Sequence, residues 1–220
     1  EQNAQAGKSP SAVPASGSST PAQVLSLRER ILGSIGFYWI IAGLCTYFAL
    51  SWLGRALVHD DKAEELWRSQ VPVYIYDRST FVFTTALSID LLSILFERQT
   101  LKLDYVLLPA FIKGLASTTN FIVRFASPCV ILTTGGRFVM LQRYICWMHT
   151  TASILMVVQL ISTSIDWPEV VRTILWDELM LVAGVIALMT SGYSQVFWTL
   201  VTHLAIVPVL PYIHKGFKEA

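Results

Sequence analysis

Charge is scarce in this 220-residue chain: Asp, Glu, Lys and Arg make up 14% of it, against 54% hydrophobic residues, with 12% of the chain aromatic. That balance is too apolar for a soluble domain of this size, and the sequence reads as an integral membrane protein set in a lipid bilayer. Sixteen basic and fifteen acidic residues leave a net charge of +1 with no basic stripe, which argues against nucleic-acid binding. Cysteine is scarce as well. Cys45, Cys129 and Cys146 are odd in number, lack metal-ligand spacing and read as small packed hydrophobes. The sequence has no phosphate-cradling glycine loop and no helical pair of metal-binding histidines, so neither a catalytic nor a metal site is expected. The period-two alternation of a membrane barrel is missing too, which leaves helices to satisfy the backbone in lipid.

What is present divides along the chain. Residues 1–24 form a low-complexity Ser, Ala, Gly, Pro and Gln tract, with too little apolar surface to offset the entropy of ordering. Residues 25–217 hold six apolar stretches of about the length that crosses a bilayer core, and 218–220 are a tail. The stretches run over 31–58, 80–96, 105–125, 138–162, 170–191 and 195–214. The charged run 59–68 reads as a solvated loop, with Asp60, Asp61, Glu64 and Glu65 at an acidic helix start rather than a cation site. Residues 97–104 read as a second short loop. Residues 129–140, CVILTTGGRFVM, place Gly135 and Gly136 between two β-prone runs, which predicts a hairpin at one membrane face.

Arg28, Arg30, Arg98, Lys102, Lys215 and Lys218 fall on one side of the alternating spans and the 60–65 acids on the other. By the positive-inside rule both termini then face the cytoplasm. Gly36 and Gly43 offer a small-residue surface for helix contact, open to a homodimer or to subunits of a membrane complex. Asp90, Lys113, Arg143, His149, Asp177 and His203 lie in or at the spans, where each is costly unless paired or turned to a cavity. His203 alone reads as a pin to a neighbouring helix, but six such residues argue for a polar interior.

A family resemblance rests on the segment 143–151, RYICWMHTT. Arg143, Tyr144, Trp147, Thr150 and Thr151 stand at the spacing of the third helix of microbial rhodopsins. Pro109-Ala110 is similar to part of the second helix, and Asp177, Met180, Gly184 and Leu188 resemble the fourth. Tyr193, Ser194, Phe197, Trp198 and the later Gly216-Phe217 resemble the fifth. The first span is then surplus, as in the enzyme-linked rhodopsins, whose eight-helix membrane part is joined to a cyclase or phosphodiesterase domain. The resemblance implies an all-α membrane fold of six transmembrane helices: an extra N-terminal helix, helices like A to E of a microbial rhodopsin, and a short hairpin between the third and fourth spans.

The resemblance also implies roles. Trp147 would stack on retinal, Thr150, Thr151, Gly184 and Trp198 would shape its pocket, and Arg143, Cys146 and Asp177 would belong to a charge and hydrogen-bond network. Thr151 would bond Asp177 between helices. Departures narrow this: Cys146 stands where pumps carry a carboxylate, Val157 is apolar where they carry a proton donor, and Ala152 replaces a common proline. The last two rhodopsin helices, with the retinal-binding lysine, are not in these residues, and Lys113 is no substitute. The expectation is therefore the membrane part of a retinal photoreceptor, with its lysine helix and output domain outside this chain and no enzymatic activity of its own. Retinal is expected only where those helices are supplied. The alternatives are a non-photoactive opsin-like scaffold or accessory subunit, and a channel or transporter with a polar interior.

Overall fold

The computed structural model describes residues 26–96, 100–133, 135–161 and 166–219. The tract 1–24, expected to be disordered, lies outside the described residues.

Helix starts follow local chemistry. Ser26 and Glu29 form a reciprocal capping box on α1 (Leu27–Leu32), and the Ser34 hydroxyl caps α2 (Ile35–Val58) through the Phe37 N–H. Asp60 accepts the Lys62 and Ala63 N–H groups at the head of α3 (Asp61–Gln70). Helices α4 (Tyr74–Phe96) and α5 (Thr100–Phe125) follow, then α6 (Leu141–Ile161) and α7 (Trp167–Met189). Asp166 caps α7, with Pro168 in its first turn where the missing N–H costs nothing. Helices α8 (Gly192–Ile206) and α9 (Val209–Glu219) close the chain. They count together as one apolar span interrupted at Pro208, whose ring removes a backbone donor.

Among the described residues, five helical spans are long and apolar enough to cross a membrane: α2, α4, most of α5, α6 and the α8–α9 unit. The remaining expected span is present as α7, of matching length, but it carries Glu169, Arg172, Asp177 and Glu178. It packs between α6 and α8, with Asp177 buried. Neighbours in sequence are neighbours in space from α4 through α8, while α2 lies across both α5 and α6. Gly36 and Gly43 let it come close: a Cβ at either would run into Asp104 or Phe111 of α5. The small-residue surface expected to serve contacts between molecules is thus used within the bundle.

One expected loop is refined and another corrected. The acidic helix start expected at 60–65 is found, and the helix it opens runs over 61–70, through the rest of the run read as a loop, because Asp60 supplies a cap and Ala63, Glu64 and Trp67 share one buried face. Residues 100–104 belong to α5, whose Leu103 and Asp104 are buried. The hairpin is found as expected: β1 (Val130–Leu132) pairs antiparallel with β2 (Phe138–Met140), Val130 opposite Met140. Gly136 takes the turn at φ 73°. Helix α3 and the hairpin lie at the same end of the bundle, and Trp67, Tyr76, Val123, Val130 and Met140 join them in one apolar cluster.

Candidate functional site

Helix α6 starts directly after β2, so the hairpin sets where its side chains stand. Trp147 and Thr151 are one turn apart and share a face. The Thr151 hydroxyl lies 2.5 Å from Asp177 Oδ2, to which it donates, with the Trp147 carbonyl 2.8 Å away as a second acceptor. Gly184 is seven residues beyond Asp177 and on the same face of α7. A Cβ there would sit 3.8 Å from Thr202 Cγ2 of α8, one turn past Trp198. Trp147, Thr151 and Asp177 therefore form a wall across α6 and α7, and Gly184 stands farther along the same face of α7, toward Thr202 of α8. Among the described residues that wall is open, with Trp147 44% and Ile154 49% exposed.

The other site candidates stand elsewhere. Cys146 is buried with Tyr47, Phe111, Leu115 and Ile145, toward α2 and α5. Thr150 is buried and spends its hydroxyl on the Trp147 carbonyl of its own helix, 3.3 Å away. Arg143 is not at mid-helix: it is exposed, in the first turn of α6. There it lines a cavity of about 160 Å³ with Tyr144, Trp147, Trp67, Tyr76 and the β2 residues. The Tyr144 and Trp147 rings meet edge to face at 5.1 Å. At this end of the bundle burial pushes the Cys129 thiol up from its ordinary pKa, with Arg55 opposing the shift.

The intramembrane polar residues do not share one interior. They are resolved in pairs across separate interfaces. Lys113 Nζ reaches both oxygens of Asp90 at 2.7 and 2.8 Å, joining α4 to α5. His149 Nε2 lies 2.6 Å from the Thr46 hydroxyl, joining α2 to α6. His203 bonds the Thr199 carbonyl of its own helix at 2.7 Å, so it pins no neighbour.

Several polar groups escaped the sequence reading. Gln142, 3% exposed, donates to Tyr47 Oη at 2.7 Å and Ser51 Oγ at 2.8 Å, and Tyr47 Oη is 2.7 Å from Thr119 Oγ1. Trp39 Nε1 donates to Ser153 Oγ at 2.9 Å. Among the described residues, Glu178 has a buried oxygen without a partner. The signal available was a carboxylate directly after Asp177, turned about 100° away from it around the helix.

The profile of the family described as bacteriorhodopsin-like protein matches residues 79–220. No curated protein matches the sequence. Two solved structures of the Salpingoeca rosetta rhodopsin phosphodiesterase, its transmembrane domain alone and that domain with its linker region, share the fold at 18% identity. Their TM-scores are 0.71 and 0.72; they cover 83% and 90% of this chain, which covers 69% of each. On the family match over most of its length, the chain belongs to the bacteriorhodopsin-like family of microbial rhodopsins.

Proposed function

We propose that these residues are the membrane part of a retinal photoreceptor of the enzyme-linked kind, whose lysine-bearing helices and output domain are supplied from outside residues 1–220. The observation that carries the reading is the Thr151 to Asp177 hydrogen bond, which holds α6 against α7 on the wall that also presents Trp147 and leads to Gly184. The wall suits a flat, elongated apolar group: an exposed indole, a hydroxyl whose proton is already committed, and a glycine that leaves room. Trp147, Thr151, Gly184 and Trp198 would hold retinal from this side. Bound retinal supplies a light-driven change of polyene geometry.

Chemistry on the wall favours sensing over pumping. Cys146 faces α2 and α5, and a neutral thiol provides no negative charge to accept a proton. Lys113 is committed to Asp90 and is no anchor for an aldehyde. The Thr151 to Asp177 bond ties movement at the wall to the relative position of two helices, which is what a signal needs. In this reading both termini face the cytoplasm, where an output domain would follow α9.

The test is absorption spectroscopy on the full natural chain in membranes supplied with all-trans-retinal. A visible band is expected, and Trp147→Ala should shift or abolish it. A natural chain with no visible band would leave a scaffold in place of a photoreceptor.

A further inference from the structure

We infer that the cavity between α2, α6 and α7 is a second binding site, separate from the Trp147 wall, for a small apolar molecule carrying one ammonium group. The cavity measures about 270 Å³. Trp39, Met148 and Ile174 give it an apolar lining, and its polar groups are Thr46, His149 and Glu178. It lies on the far side of α6 from Trp147 and Thr151, because His149 stands midway between them in sequence and so on the opposite helix face.

The polar groups are not equivalent. His149 Nδ1 bonds the Ile145 carbonyl at 2.8 Å and Nε2 bonds Thr46, whose hydroxyl is also 2.9 Å from the Ala42 carbonyl. Histidine and threonine are thus spent on each other and on backbone. Glu178 is left over: its side chain lines the cavity, and its Oε2 is buried with no hydrogen-bond partner among the described residues. It stands midway along α7, at a depth where an uncompensated carboxyl is expensive.

A ligand that completes the site brings a cationic donor to Glu178 and an apolar body to the rest. An ammonium makes a charge-assisted hydrogen bond there. A bare divalent cation is poorly matched, since it wants six or more oxygens and the lining offers few. Size points the same way: a cavity of about 150 Å³ holds a benzene ring, so this one admits a ring with a short amine arm. Since all three helices contribute, such a ligand would clamp the leading helix to α6 and α7.

Benzylamine and its neutral isostere ethylbenzene test the inference by saturation-transfer NMR and thermal shift on the full chain in nanodiscs. Benzylamine should bind about tenfold more tightly than ethylbenzene, the worth of one charge-assisted bond. Glu178→Gln should erase that preference, and Ala42→Leu, which fills the cavity from α2, should weaken both probes. Equal binding of both probes, a preference that survives Glu178→Gln, or no binding to the natural chain would overturn it. The site does not depend on retinal, so its failure leaves the photoreceptor reading untouched.

Discussion

Asp104 does the work of a helix cap from another helix. It is 4% exposed on α5, accepts the Ser34 hydroxyl, and accepts the Gly36 N–H at 2.8 Å. Two donors at the head of α2, otherwise orphaned, are satisfied by one carboxylate that also favours the positive end of the helix dipole. Asp104→Ala leaves both buried and unpaired and is expected to cost about 1–3 kcal/mol. Asp104→Asn should cost less, because an amide oxygen still accepts. Denaturant titration of the detergent-solubilised chain checks the ranking, and equal stabilities would remove the capping role. The sequence hid this residue in an expected loop, since its partners lie some seventy positions earlier and nothing local marks them. A simpler cap was readable: Ser26 donates its N–H and hydroxyl to Glu29, which holds the Glu29 carboxyl below its ordinary 4.5. A carboxyl with a depressed folded pKa stabilises above its unfolded value and loses that contribution as pH falls through the folded one. The Ser26 and Glu29 amide resonances should therefore move together on acidification below 4.5, and fixed resonances would refute the box.

At the scale of elements, α3 and the hairpin form a lid over the end of the bundle that holds Arg143. Trp67 packs on Tyr76 at 5.8 Å, Arg68 bonds both Glu64 and the Ala126 carbonyl, and the cluster around Val130 closes the gap. The hairpin was legible because two glycines between β-prone runs leave few other structures. Which glycine bears the turn was not. Gly136 has φ 73°, while Gly135 has only Thr133 Oγ1 within ordinary contact distance of an added Cβ. Gly136→Ala should thus destabilise by about 1–2 kcal/mol, the left-handed penalty of an L residue, and Gly135→Ala far less. Thermal melts of the two variants decide it, with equal losses placing the strain elsewhere. The acidic start of α3 was legible but its extent was not, because charge dominates the run; its fold depends on the one large apolar side chain it buries, Trp67, one turn from Ala63, finding a cluster built from distant segments.

For the whole molecule, the surplus leading helix is structural rather than appended. Along α6 it makes three polar rungs, Trp39 to Ser153, Thr46 to His149, and Tyr47 with Ser51 to Gln142, and Tyr47 extends the last to Thr119 of α5. The order of the long membrane helices was readable from hydropathy and from the spacing of the 143–151 motif, whereas the short helix α1, the extent of α3 and the break at Pro208 were not. The seat of α2 was not, because the helix is apolar on nearly every side and its exposed residues are those a lipid-facing helix also shows. Each rung is a group that hydrocarbon cannot satisfy. Removing residues 1–58 would turn Gln142, His149 and Ser153 toward lipid, so the shortened chain should fail to accumulate in folded form. Supplying α2 as a separate chain should restore it. Tyr47→Phe is the finer probe, taking one of two partners from Gln142 and the Tyr47 oxygen from Thr119, at about 1–3 kcal/mol. A shortened chain as stable to heat as the full one, or a silent Tyr47→Phe, would make α2 an appendage; stability loss in both places it inside the helix bundle, gripping the face of α6 opposite the Trp147 wall.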